Sequence, residues 1–146
     1  MEEEKKRLYF RKVETEPYAK LLNIKLKDVD EGYALCEMEY TERLDNIYGI
    51  AHGGAIFSLI DEAFEISSNS YQNVAVALNM NVTYIRAPKK NTILTAESKE
   101  IYRTKRTASY YITVRDDENL LAVCQALVYI KDREIPFLEE LRQKKG

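Results

Sequence analysis

Gly54-Ala-Ile-Phe-Ser-Leu-Ile-Asp-Glu-Ala-Phe-Glu-Ile-Ser-Ser-Asn-Ser70 is the stretch that decides the architecture. Ile56, Leu59, Ile60, Ala63 and Phe64 fall at i, i+3, i+4, i+7 and i+8, so one apolar stripe of an amphipathic helix is predicted over about 54–70. Upstream, Asn46, Gly49, Gly53 and Gly54 break residues 41–54 into a loop. Before that, Ile24 to Val29 alternates apolar and polar, Glu31-Gly32 turns, and Tyr33 to Tyr40 alternates again, the pattern of a hairpin. Pro17 suits a first-turn position, and a short helix is expected over Tyr18 to Leu22.

Downstream the period becomes two. Val74, Val76, Leu78, Met80, Val82 and Tyr84 read as one face of a long strand that Pro88 ends. Residues 92–102 give a second strand, and Thr107 to Arg115 a third with Ala108, Tyr110, Ile112 and Val114 on one face. Asp116 to Asn119 supplies turn residues, Leu120 to Ile130 a strand apolar on both faces, and 137–144 a polar helix or tail. No second helix of comparable length is expected. The class is therefore α+β, an antiparallel sheet obliged to curl around a single helix to cover its stripe.

The chain has 146 residues, 45% hydrophobic and 32% charged, which fits one folded domain over 1–146. Its first residues, MEEEKKRLYFRKVETE, lack a signal peptide's apolar run, and no apolar stretch is long enough to span a membrane, so a cytoplasmic protein is expected. Cys36 and Cys124 sit in alternating segments without CxxC spacing and read as reduced core residues. One histidine and no Cys/His cluster argue against zinc, and no metal or cofactor is expected. A net charge of −2, with basic and acidic residues interspersed, gives no nucleic-acid footprint.

The segment Asn46-Ile-Tyr-Gly49-Ile-Ala-His52-Gly53-Gly54-Ala-Ile-Phe57-Ser-Leu59-Ile-Asp61-Glu-Ala63-Phe64 resembles the signature of hotdog-fold thioesterases of the phenylacetic-acid-degradation (PaaI-like) group. The resemblance extends more loosely over about residues 20–131. It implies the hotdog fold, an antiparallel sheet wrapped around one long central helix. It also implies hydrolysis of acyl-CoA thioesters, aryl or medium-chain, by a homodimer or homotetramer with active sites at the dimer interface. By that resemblance Asp61 is the general base or nucleophile, the Gly53 N–H polarises the thioester carbonyl, and Asn46 helps place thioester or water. A hydroxyacyl-thioester dehydratase and a non-catalytic acyl-CoA binder are the alternatives. The single histidine, lying in the His52-Gly53-Gly54 element and not on the helix, counts against the first.

The chemistry suits these residues. Thioester hydrolysis needs a donor for the developing oxyanion and a base or nucleophile. A helix start at His52-Gly53-Gly54 offers free N–H groups and a dipole that favours negative charge. Asp61 lies eight residues beyond Gly53, about 12 Å along a helix at ~1.5 Å per residue. One thioester carbon cannot touch both. If both act, Asp61 comes from a second chain whose helix runs antiparallel to the first.

The helical wheel places Ser58, Asp61, Glu65 and Ser68 together on the face away from the apolar stripe, with Ser68 able to orient the carboxylate or a water. Glu62 and Glu65 read as solvated helix-face carboxylates. His52 and Gly54 either structure the helix start or touch substrate. Among the basic residues Arg86, Lys89, Lys90, Arg103, Lys105 and Arg106, which also suit edge protection, Arg106 is the candidate for the CoA phosphates. The tyrosines of 102–111 either line an acyl pocket or stabilise strands.

Overall fold

A computed structural model describes all residues 1–146. The chain begins with helix α1 (Glu3–Thr15) and the short α2 (Pro17–Leu22), followed by strands β1 (Lys25–Asp30) and β2 (Tyr33–Tyr40). The long helix α3 (Gly53–Ser68) then precedes β3 (Asn73–Tyr84), β4 (Thr92–Arg103), β5 (Thr107–Arg115) and β6 (Leu120–Glu134), and α4 (Glu139–Gln143) closes the chain. The six strands form one sheet in the order β1-β2-β4-β5-β6-β3, and every pairing is antiparallel.

The alternating segments become strands because each contributes one buried row. Ala34, Cys36, Met38 and Tyr40 of β2, Leu94 and Ala96 of β4, and Ala108, Tyr110, Ile112 and Val114 of β5 all turn inward. They close over Ile56, Leu59, Ile60, Ala63 and Phe64, the stripe read from the sequence. Phe64 meets Tyr110 edge to face at 5.6 Å between ring centroids. Both cysteines are free and buried.

Two expectations are corrected. The N-terminal residues are not merely charged: α1 is 13 residues long, close to the 16 of α3. Glu, Lys and Arg are good helix formers, and Glu3 and Glu4 in the first turn with Lys12 in the last complement the dipole. Leu8, Tyr9 and Val13 give it a narrow buried edge, too sparse to register as a stripe. The second correction concerns β3, whose apolar residues do not share one face. A bulge between Ala77 and Asn79 shifts the register. Ahead of it Ala75 and Ala77 oppose Ile130 and Val128, whereas beyond it Met80, Val82 and Tyr84 oppose Ala126, Cys124 and Ala122. The extra residue exchanges the inward parity from odd to even. Leu78, at the bulge, is left 57% exposed.

Candidate active site

The loop from the short 3₁₀ turn at Glu42–Leu44 to α3 is pinned before the helix begins. Asp45 bridges Ala51, accepts a hydrogen bond from the Tyr40 hydroxyl, and pairs with Lys90 at 3.0 Å. Those two partners hold its carboxyl below the usual range. Within this closed loop Asn46 Oδ1 accepts from the N–H of Tyr48 (2.9 Å) and of Ile50 (3.3 Å), an Asx turn. The carbonyl end of Asn46 thus shapes the turn, and its NH₂ group makes no hydrogen bond within the chain.

The start of α3 assigns separate tasks to neighbouring residues. His52 is the N-cap, and its Nδ1 accepts the Gly54 N–H at 2.8 Å. An accepting Nδ1 carries no proton, so the ring proton sits on Nε2. A Cβ on residue 54 would meet His52 Nδ1 at 3.0 Å, so glycine there lets the imidazole fold back over the helix start. The N–H groups of Ala55 and Ile56 turn to the His52 carbonyl. The Gly53 N–H makes no bond within the chain, one free donor at the positive end of the helix. Tyr84 holds that residue in place: its hydroxyl donates to the Gly53 carbonyl at 3.1 Å, and its ring would meet a Cβ there at 3.4 Å.

Asp61 is exposed on the outer side of α3. Partial burial, and then the Glu16 carboxylate, raise its pKa above the ordinary value. The wheel's grouping is only half realised, because Ser58 and Ser68 are buried. Ser58 Oγ donates to the Gly54 carbonyl and meets Tyr18 Oη, each at 2.7 Å. Ser68 Oγ donates to the Glu65 carbonyl and accepts from Asn69. Glu65 is exposed with Asp61, but Glu62 is 3% exposed and not the solvated carboxylate expected. The helices α1 and α2 displaced that expectation by adding a wall outside α3. Arg106 sits in the β4–β5 turn and pairs with Asp132 at 2.9 Å.

Sequence reading missed what this wall brings. Glu16, between α1 and α2, approaches Glu62 and Glu65. Burial first, then a hydrogen bond with Glu16 and the neighbouring carboxylates, pushes Glu62 up to about 9, and burial followed by the Glu16 and Asp61 carboxylates pushes Glu65 to about 7. Beside them lies a cavity of about 520 Å³, with Val13, Ile66, Ile135 and Phe137 among its walls and Glu16 and Glu65 at one side. The alternation marks Tyr84 as a strand residue only, and its contact with Gly53 is set by the tertiary fold.

A six-stranded antiparallel sheet wrapped around one long helix defines a hotdog-fold protein. The chain belongs to the thioesterase superfamily, thioester-hydrolysing enzymes whose family model matches residues 48–123. It is 36% identical over 117 residues to a putative esterase of Archaeoglobus fulgidus, covering 80% of this chain and 76% of that one. It is 34% identical over 101 residues to the acyl-coenzyme A thioesterase PaaI of Escherichia coli, covering 69% and 72% respectively. The solved structure of E. coli PaaI superposes with a TM-score of 0.83 at 28% identity, over 88% of this chain and 94% of that one. No helix is long and apolar enough to cross a membrane.

Proposed function

We propose that the protein hydrolyses acyl-CoA thioesters, aryl or medium-chain, to the free acid and CoA. The observation that carries this reading is the division of labour at the helix start, where His52 caps Gly54 and leaves the Gly53 N–H unpaired. A preorganised donor of this kind stabilises a developing oxyanion by roughly 3 kcal/mol. Asp61 serves as base or nucleophile, and its exposed place on α3 leaves it open to a second chain. The free NH₂ of Asn46 is a donor for the thioester or the attacking water. In the net reaction water's oxygen joins the carbonyl carbon, the C–S bond breaks, and the thiolate leaves as CoA-SH with a proton from water. CoA appears in the names of two relatives, E. coli PaaI and the 1,4-dihydroxy-2-naphthoyl-CoA hydrolase of Listeria monocytogenes, 26% identical over 116 residues.

The dimer supplies the missing geometry. β3 is an edge strand, paired on one side to β6 only, and its outer row of N–H and C=O groups is open to a second copy. Antiparallel pairing of two β3 edges lays two α3 helices side by side in opposite directions. The Gly53 N–H of one chain then faces Asp61 of the other. Arg106, exposed and held by a single surface carboxylate, remains the candidate for the CoA phosphates.

The test is thiol release from a panel of aryl- and fatty-acyl-CoAs by the wild type and Asp61→Asn. Asparagine keeps the shape and removes the base, so kcat/KM is expected to fall by about 100-fold or more with the fold intact. Binding of acyl-CoA without thiol release by the wild type would replace hydrolysis with a binding role. Equal rates in the two proteins would remove Asp61 from the chemistry.

A further inference from the structure

Glu16, Glu62 and Glu65 each bring a carboxylate oxygen to within 4.8 Å of the other two. The three come from two separate places: Glu16 caps the start of α2, and Glu62 and Glu65 lie one turn apart on α3. None of them, nor Asp61, pairs with any lysine or arginine of the chain, although eleven ion pairs form elsewhere. Lys12, which lines the adjoining cavity, is engaged by Glu140 at 2.5 Å.

Glu62 is the buried member of the three. It is 3% exposed, and its Oε1 has no hydrogen-bond partner. Buried polar atoms are ordinarily satisfied, and Glu62 Oε1 is an exception. The cluster is also reachable, since Glu16 and Glu65 both line the cavity of about 520 Å³. A small cation and its waters can enter from that side.

We infer that Glu16, Glu62 and Glu65 bind one hard divalent cation (magnesium, manganese or calcium) that ties the α1–α2 junction to α3. The donor set is all oxygen, which suits these ions and not the softer ones that favour thiolate or imidazole. Three carboxylates more than balance the ion's two positive charges, and waters in the cavity complete its coordination. A cation there gives the buried Glu62 carboxyl a ligand and offsets the mutual repulsion of the three side chains.

The experiment is calorimetric titration of the full-length, EDTA-treated protein with manganese, magnesium and calcium chlorides, alongside melting temperatures in each. One cation per chain is expected, with a dissociation constant of about 10⁻³ M or tighter and a higher melting temperature when bound. Glu62→Gln preserves volume and removes a carboxylate ligand, and should weaken binding by about tenfold or more, equivalent to ~1.4 kcal/mol. Glu65→Gln gives the same reading if Glu62→Gln does not fold. No heat and no melting shift from any of the three ions at millimolar concentration overturns the site. Binding unchanged in both variants overturns it equally, because the ion then sits elsewhere. Neither readout involves thiol release, so this inference and the hydrolysis reading fail separately.

Discussion

At position 52 one side chain does the work usually left to serine or aspartate. His52 Nδ1 takes the Gly54 amide, and this leaves Gly53 as the single unpaired donor at the tip of α3. The sequence placed His52, Gly53 and Gly54 together but could not divide their roles, since the division depends on which way the ring folds. A side-chain N-cap bond contributes roughly 1 kcal/mol. His52→Ala is accordingly expected to lower the urea unfolding free energy by about that amount. The Gly53 N–H stays in the chain, so kcat/KM should fall by less than about tenfold, one cap's worth of free energy. A hundredfold loss of activity at unchanged stability would instead place the imidazole on the substrate. Asn46 is a parallel case: the Asx turn and the substrate role are compatible, because the turn consumes the amide oxygen and spares the nitrogen.

At the scale of elements, legibility followed the density of the apolar pattern. The stripe from Ile56 to Phe64 and the alternation from Ala108 to Val114 place so many residues in register that local periodicity and tertiary burial agree. Where they diverged, a non-local partner was responsible. The bulge at Leu78 exchanges the two faces of β3, and nothing in the alternation of Val74 to Tyr84 marks it. Helix α1 buries only Leu8, Tyr9 and Val13 among charged neighbours, and its absence from the sequence reading also hid the burial of Glu62 and the approach of Glu16. The weight of that helix is measurable. Leu8 is fully buried, and Leu8→Ala should cost about 3 kcal/mol of unfolding free energy in urea. A change within the ~0.5 kcal/mol typical of surface positions would show that α1 does not pack on the core.

For the whole molecule, the positions of Gly53 and Asp61 constrain the assembly. A two-fold axis brings the partner's donor level with this chain's carboxylate when it passes midway between them along α3, at Phe57. Helix α3 and strand β3 run antiparallel, tied at one end by Tyr84 to Gly53 (3.1 Å) and at the other by Asn69 to Ala75 (2.8 Å). Phe57 lies about 6 Å along the helix from Gly53, equivalent to about two strand residues at ~3.3 Å each. Counting back from Tyr84, the axis meets β3 at Asn81 and Val82. Residues at such an axis face their own copies across the paired edges, at Cα separations of about 4.5–5.5 Å, inside the range a disulfide spans. Asn81→Cys should therefore form a covalent dimer under mild oxidation, read on a non-reducing gel. Asn73→Cys, at the far end of the strand, should not. The native Cys36 and Cys124 are buried and leave the assay clear. Cross-linking at 73 but not at 81 would mean a different register, one in which Gly53 and Asp61 of opposite chains cannot reach the same thioester.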